Sequence, residues 1–345
     1  MDVVHKLSNF VRIILFIVLG VVIFILSNIV DEYRATQGAT IAAYVVGISS
    51  IILLTGYSGQ VSLGHGALMG VGGYAAALVG DQAGSKMMQE KVTGINLPIP
   101  LTFVVAILAA AGIGALLGVA AARLSGPYLA GTTMALAVGL PSVANQFKSL
   151  GGEQGLFYIV GDPPAALGDG VTQSKWYFWI AALTTLIAIF WLQNVMRSRY
   201  GRIWKAIRGS DVAAELAGIN VARAKILAFT LSAGLAGLAG ALWAMTIGTV
   251  SPSAFQLALS FSLLTGAVLS GVTTLGGVMI GAVILVAIPE IVHSVVDRVG
   301  ASQQIADSLP SLIVSALLIL TVIFVPNGPV EQMRSKSMKK KARHH

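Results

Sequence analysis

Residues 197–220 read RSRYGRIWKAIRGSDVAAELAGIN and lie between two long apolar runs. Seven of the chain's 22 lysine and arginine residues fall between positions 197 and 225: Arg197, Arg199, Arg202, Lys205, Arg208, Arg223 and Lys225. Basic loops are retained on the cytoplasmic side when a membrane protein inserts, so this loop predicts the topology of the chain. Its middle, from Asp211 to Gly218, predicts a helix that is offered to a soluble partner.

The composition is typical of a polytopic membrane protein. Hydrophobic residues make up 56% of the chain and charged residues only 10%, whereas an ordinary soluble domain carries about 25% charged residues. The net charge of +8 is spread over short loops and the C-terminus. It forms no basic stripe with interleaved aromatic residues, which argues against a nucleic-acid partner. Cysteine is absent, so disulfides and thiolate metal sites are excluded.

Ten apolar runs predict transmembrane helices, because a span needs about 20 mainly apolar residues. They cover residues 10–30, 39–57, 59–80, 98–122, 127–147, 176–196, 226–248, 257–274, 277–297 and 310–326. With the N-terminus inside, sixteen basic residues then lie in the cytoplasm and six outside. We therefore predict an all-α polytopic fold with about ten transmembrane helices and both termini cytoplasmic. Eight or nine spans also fit if segments are lost in pairs or are re-entrant.

The domain organisation is simple. Residues 1–330 form a single transmembrane domain, in which 197–225 is the cytoplasmic loop, and residues 331–345 form a basic cytoplasmic tail. The largest external loop, 148–175, contains GGEQG and GDPP. Glycine and proline at this density predict ordered turns or a mobile loop. A landing surface for an external protein is the functional alternative.

A second informative segment, residues 55–74, reads TGYSGQVSLGHGALMGVGGY. Close helix packing explains the glycines, but not the polar Gln60, Ser62 and His65 among them. Polar side chains in a membrane face the bundle interior or a wet cavity, and a broken helix attracts a carboxylate to its N-terminal end. We predict that these three residues line a substrate pathway. For His65 alone, a hydrogen-bonded packing role is the simpler interpretation.

Residues 265–281, TGAVLSGVTTLGGVMIG, form a second glycine-interrupted stretch. A pair of such stretches, one in each half of a chain, is typical of transporters with a central site. The two stretches share little sequence, so this indication is weak.

The sequence lacks common motifs of nucleotide-binding and catalytic sites. The sequence contains no G-x-x-x-x-G-K-[ST], G-x-S-x-G or H-E-x-x-H pattern, so we expect no nucleotide hydrolysis, enzymatic activity, cofactor or metal in this chain. No carboxylate falls at the middle of a predicted span, although a cation-coupled carrier often needs one. The energy for uphill transport would then come from a partner that acts on the basic loop.

Several motifs, in order, resemble the permeases of branched-chain amino acid ABC importers, in particular the LivM-like family. They are GYSGQVSLGHGA at 56–67, GRIWKAIR at 201–208, AAELAGIN at 213–220, AFTLSAGLAGLAGAL at 228–242, Ser251-Pro252 and FVPNG at 324–328. The resemblance covers residues 40–328. One departure is the pair Leu140-Pro141, where the family commonly runs from threonine-rich residues to a Gly-Glu pair.

The resemblance implies a heteromeric importer in the bacterial cytoplasmic (inner) membrane. Its partners would be a homologous second permease, two cytoplasmic ATPases that carry ATP and Mg²⁺, an external substrate-binding protein and membrane lipid. The family's coupling helix, which docks on an ATPase, would include Arg208, Asp211, Ala213, Ala214, Glu215 and Gly218. Our candidates for the substrate pathway are Gln60, Ser62, His65, Thr132 and Thr133.

The expected function is therefore that of a permease subunit forming half of an ATP-driven import pathway for branched-chain amino acids. Closely similar permeases import urea and short amides, which are the alternative cargo. A stand-alone secondary carrier or channel is the rival from another class, and a structural scaffold of a membrane complex is a third interpretation.

Overall fold

The structure is a computed structural model that describes residues 9–80, 97–124, 126–161, 163–164, 171–271, 275–299 and 303–324. Within these ranges the chain forms twelve α-helices. They are α1 (Asn9–Ile29), α2 (Glu32–Ile51), α3 (His65–Val79), α4 (Ile99–Arg123), α5 (Pro127–Gln146), α6 (Gln173–Arg197), α7 (Arg199–Gly209), α8 (Asp211–Leu216), α9 (Val221–Ile247), α10 (Leu257–Ser270), α11 (Val278–Val299) and α12 (Gln303–Phe324). The predicted basic tail, 331–345, and part of the predicted external loop lie outside the described residues.

Each of the ten predicted spans overlaps one helix, and the short helices α7 and α8 form in the basic loop. Among the described residues, five helical segments are long and apolar enough to cross a membrane: Glu32–Tyr57, Ile99–Arg123, Gln173–Arg197, Val221–Ile247 and Leu275–Val296. The all-α, multi-pass character is thus confirmed, while the number of complete crossings stays a prediction.

Two of the helices that overlap predicted spans are too short to cross a bilayer alone. Helices α3 and α10 have 15 and 14 residues, and at about 1.5 Å per residue they fall short of a hydrocarbon core of about 30 Å. Helix α3 begins at His65 because residues 59–64 are not helical. Helix α10 ends at Gly271, whose φ of +85° lies in the left-handed region. Both glycine-interrupted stretches therefore contain a helix end.

Helix α9 lies at the centre of the bundle and packs against α2, α3 and α4. Its buried residues are mostly alanine, glycine and leucine. A Cβ atom at Gly72 of α3 would overlap the backbone of Gly237, and one at Gly240 would overlap the carbonyl of Met69. Small residues allow two helices to approach until their backbones touch. This crossing fixes α3 and the non-helical segment that precedes it.

The connection that follows α5 contains 3₁₀ turns at Lys148–Leu150 and Gly152–Gln154 and the strand β1 (Leu156–Phe157), which pairs antiparallel with β2 (Thr249–Val250). The Tyr158 amide donates to the Gly248 carbonyl at 2.9 Å, and the Tyr158 hydroxyl shares a 2.7 Å hydrogen bond with Thr102. Burial raises the pKa of Tyr158 to about 12. The described part of this loop therefore consists of ordered turns.

Candidate coupling site and helix break

The segment between α2 and α3, which we call the helix break (residues 56–64), interrupts the α-helical path. Helix α2 continues as a π-helix over Ile52–Tyr57, and the chain then turns at Gly59, whose φ is +73°. The Ser58 hydroxyl donates to the Leu54 carbonyl at 2.7 Å, and that of Thr55 donates to the Gln60 carbonyl at 3.1 Å. Backbone groups released inside a membrane need such partners, because no water replaces them.

His65, the first residue of α3, forms a buried hydrogen-bond chain together with three serines. Its Nδ1 lies 3.1 Å from the Ser62 hydroxyl, and its Nε2 lies 2.8 Å from that of Ser232. The Ser232 hydroxyl donates its proton to the Ser50 carbonyl at 2.7 Å. Since that proton is used, His65 Nε2–H must be the donor to Ser232, while Nδ1 shares a hydrogen bond with the Ser62 hydroxyl. Both ring nitrogens of His65 are therefore engaged.

The threonines predicted on α5 occupy different environments. Thr133 is completely buried, and its hydroxyl accepts a 3.0 Å hydrogen bond from the Leu63 amide of the break. Thr132 is half-exposed, and its hydroxyl donates to the carbonyl of Tyr128 within its own helix. Helix α5 continues through the unexpected Pro141 to Gln146. Only Thr133 is brought together with the residues of the break.

Of the five predicted pathway residues, Gln60 lines a cavity. The cavity measures about 550 Å³ and lies between the break, the turn from α4 to α5 and the loop from Ile207 to Asp211. The Gln60 side-chain amide donates to Ser58 at 2.9 Å, while its oxygen is buried without a partner among the described residues.

In this conformation Ser62, His65 and Thr133 are fully buried. Their place on the substrate pathway stays a prediction. A helix break in a membrane releases backbone groups, and the nearest polar side chains are used to satisfy them and to join the surrounding helices. These residues hold the break in place.

Helix α7 lies across the ends of α2, α6 and α9. Ser198 caps its N-terminus by accepting from the Tyr200 amide at 3.2 Å. The apolar side of α7 buries Trp204 and Ile207, and the Trp204 indole N–H donates to the Ala224 carbonyl at 2.9 Å. The opposite side of this helix is basic and exposed.

Helix α7 contacts the helix break at two points. The Arg208 guanidinium donates to the Gly56 carbonyl, and a Cβ atom at Gly59 would lie 3.0 Å from the Arg208 side chain. The Lys205 ammonium lies 4.9 Å from the centre of the Tyr57 ring, within the range of a cation–π interaction. The basic loop and the broken end of α2 therefore form one packed unit.

Helix α8 follows directly. Ser210 caps it by accepting from the Ala213 amide at 3.2 Å, and Asp211 forms a 2.5 Å salt bridge with Lys225 of α9. Ala214 points inward and packs against Ile207 and Val221. The residues predicted for coupling thus divide into two groups. Ala214 is buried, and Arg208 and Asp211 bind other parts of the permease, although Arg208 is itself exposed. Ala213, Glu215 and Gly218 are exposed.

Two exposed apolar residues of α8 were not among the predicted site residues. Val212 is 67% exposed and Leu216 is 85% exposed. Positions four apart lie on the same face of a helix, so they form one patch together with Glu215; we call Val212, Glu215 and Leu216 the α8 patch. The sequence contains an indication of this patch, because two apolar residues four positions apart in a charged loop have no core in which to be buried. Gly218, with φ +81°, ends the helix in a left-handed turn.

The described residues contain no cluster of His, Cys, Asp or Glu that could hold a metal ion. The geometry is that of a membrane protein with a surface helix joined to a broken membrane helix.

Comparison with known proteins gives consistent matches. The family model for the branched-chain amino acid transport system permease component matches residues 34–323. The high-affinity branched-chain amino acid transport system permease protein LivM of Escherichia coli K12 is 28% identical over 313 residues, which cover 84% of this chain and 68% of that protein. The corresponding LivH protein of the same strain is 27% identical over 308 residues, covering 85% and 92%.

The ribose import permease protein RbsC of Haemophilus influenzae is 24% identical over 322 residues, covering 88% of this chain and 86% of that protein. No solved structure matches. Because the family model covers well over half of the sequence, this chain belongs to the family of branched-chain amino acid transport system permease components and is a membrane permease subunit.

Proposed function

We propose that this chain is one of two homologous permease subunits of an ATP-binding cassette importer that carries branched-chain amino acids across the bacterial inner membrane. The chain resembles both LivM and LivH, two different permease proteins of such a system in one organism. That double resemblance supports a second, related permease as its partner. ATP and Mg²⁺ would be bound by two separate ATPase subunits, and an external protein would deliver the cargo.

The topology that we propose has ten crossings with both termini in the cytoplasm. It is supported by the helices that overlap every predicted span and by the concentration of basic residues in α7 and in the segments that flank α7 and α8. Under this topology the α8 patch faces the cytoplasm, where an ATPase would bind.

The observation that carries the proposal is the contact between Arg208 and Gly56. An ATPase that binds the α8 patch would move α8, which is joined to α9 through Asp211 and Lys225. The same movement would pass through Arg208 to the Gly56 carbonyl and thus to the helix break. The adjoining cavity, lined by Gln60, would change shape as a result. ATP hydrolysis in a partner is thereby linked to the transport pathway.

Gln60 would offer hydrogen-bonding groups to a zwitterionic cargo, and Thr132 of α5 would contribute to the pathway at the contact with the second permease. The relative named as a ribose import permease supports the view that this architecture serves different cargoes. The external binding protein would therefore set most of the selectivity, and the permease would hold the cargo only briefly.

Co-purification from native membranes tests the importer. We expect wild type to retain two ATPases and a second permease. Leu216→Arg should lose the ATPases and keep the permease, whereas Arg223→Gln, an exposed change outside the α8 patch, should keep both. A wild-type complex without any ATPase would contradict the importer.

The cargo is tested by uptake into proteoliposomes that contain the purified complex, the binding protein and enclosed ATP. We expect uptake of leucine, isoleucine and valine but not of urea or acetamide. Uptake driven by an ion gradient without ATP would instead support a secondary carrier.

A further inference from the structure

A groove separate from the Gln60 cavity runs along the side of the bundle between α1, α2, α6 and the start of α11. Its volume is about 550 Å³. On α6 the lining extends from Phe178 to Gln193, a rise of about 22 Å along a helix. The groove therefore covers most of a hydrocarbon core of about 30 Å.

The wall of this groove is apolar along most of its length, with residues such as Leu19, Val45 and Leu186. Thr185 also lines the groove, but its hydroxyl donates to the Ala42 carbonyl at 3.2 Å. Because the Thr185 hydroxyl already has this hydrogen bond, it does not require a polar ligand. An apolar chain is therefore the ligand that fits the middle of the groove.

The end of the groove next to the basic loop is different. Gln193 lines this end, and Arg197 lies one turn further along the same face of α6. Helix α7 then begins with Arg199 and Arg202, both exposed. The apolar groove thus extends along α6 to Gln193, and the exposed Arg199 and Arg202 follow a few residues further along the chain.

These two arginines retain hydrogen-bonding capacity. Arg199 donates to the Tyr200 hydroxyl at 2.9 Å, and Arg202 donates to the Arg197 carbonyl at 3.3 Å. A guanidinium has five N–H donors, so most remain available. Neither residue forms a salt bridge with a carboxylate of the described residues. Arginine pairs strongly with phosphate oxygens in a bidentate geometry.

We propose that the groove and these arginines bind one anionic phospholipid, with an acyl chain in the groove and the phosphate at Arg199 and Arg202. An apolar groove followed by exposed arginines matches a molecule with an apolar chain and an anionic head group, which favours a phospholipid over an apolar helix of a second protein.

Native mass spectrometry of the full chain in detergent tests the site. The chain is titrated with phosphatidylglycerol, with phosphatidylcholine and with inorganic phosphate. We expect the first phosphatidylglycerol to bind at least tenfold more tightly than phosphatidylcholine. Inorganic phosphate at the same concentration should not displace it, because the acyl chain contributes to binding. Equal affinity for the two lipids, or displacement by phosphate, would overturn the proposal.

Two pairs of variants locate the site. Ala182→Trp, which fills the groove, should abolish the tight binding, whereas Leu183→Trp, on the 61% exposed face of the same helix, should leave it intact. Arg199→Gln with Arg202→Gln should reduce phosphatidylglycerol binding to the level of phosphatidylcholine, whereas Arg223→Gln should not. These surface changes leave the packing untouched, so they remain informative even if Ala182→Trp fails to fold.

The complete transporter provides the last arm of the test. If the tight lipid remains bound when the second permease is present, the groove is a lipid site in the working complex. If assembly removes the lipid, a protein occupies the groove and the proposal fails.

Discussion

The helix break and the α8 patch reverse the usual arrangement of polar and apolar residues. At the break, Ser62 and its neighbours His65 and Thr133 are polar and fully buried, and each is engaged in a hydrogen bond. In the α8 patch, Val212 and Leu216 are apolar and exposed. The difference shows that these buried polar residues satisfy the chain itself, whereas the exposed apolar residues of α8 are available to a partner. Arg208 connects the two regions.

The largest effect is expected from His65→Phe, next to the break. Phenylalanine fills a similar space but removes the hydrogen bonds of His65 to Ser62 and Ser232, and each unsatisfied buried group costs about 1–3 kcal/mol. The melting temperature in detergent should fall clearly, whereas Thr132→Val, outside the network, should leave it nearly unchanged. An unchanged melting temperature for His65→Phe would show that the network adds little to stability.

Leu216→Asp in the α8 patch should have the opposite effect: it should weaken ATPase binding without lowering the stability of the fold. The fold should be retained, because the side chain is 85% exposed. Binding to the ATPase should weaken by about 10- to 100-fold, which corresponds to the roughly 1.5–3 kcal/mol gained when a leucine side chain is buried. Surface plasmon resonance with the isolated ATPase measures this loss. A wild-type affinity for the ATPase would show that the ATPase does not dock on α8.

Arg208→Met tests the connection between the regions. Hydrogen bonds to charged groups contribute about 1.5–3 kcal/mol, so removing this one should lower ATP-driven uptake by about tenfold or more. ATPase binding should stay normal, since Arg208 faces the break rather than the patch. Arg208→Lys, which keeps the charge, should recover part of the uptake. A parallel loss of ATPase binding would place Arg208 in the docking surface instead.

Gln60→Leu should have the smallest effect. The Gln60 oxygen is buried without a partner among the described residues, so its removal should leave the melting temperature unchanged or slightly higher. Uptake should fall only a few-fold, because one neutral hydrogen bond contributes about 1 kcal/mol. Initial uptake rates over a range of leucine concentrations measure the change. Wild-type uptake rates at every leucine concentration would show that Gln60 is not part of the pathway.

Much of the fold could be predicted from the sequence because the signals are local. Apolar runs mark helices wherever the solvent is hydrocarbon, and each predicted span overlaps a helix. The first residues of the helices were harder to predict. Helix α2 begins at Glu32 and α12 at Gln303, ahead of the predicted spans, because both first turns contain polar or charged residues that hydropathy leaves out. The roles of the polar site residues are harder to predict, since a polar residue in a membrane can face a cavity or another helix, and the local sequence does not distinguish these two environments. Which of them line the pathway stays a prediction.

The sequence by itself determined the membrane class, the approximate positions of ten helices, the basic loop and the family. These properties depend on composition and order along the chain. Only the tertiary structure decided that His65 pairs with Ser232, that Thr133 binds the Leu63 amide, that Ala214 turns inward and that Arg208 reaches Gly56. The reason is physical: each of these contacts joins elements that are distant in sequence. Their partners are defined only when the close approach of the glycine-rich helices has fixed the bundle.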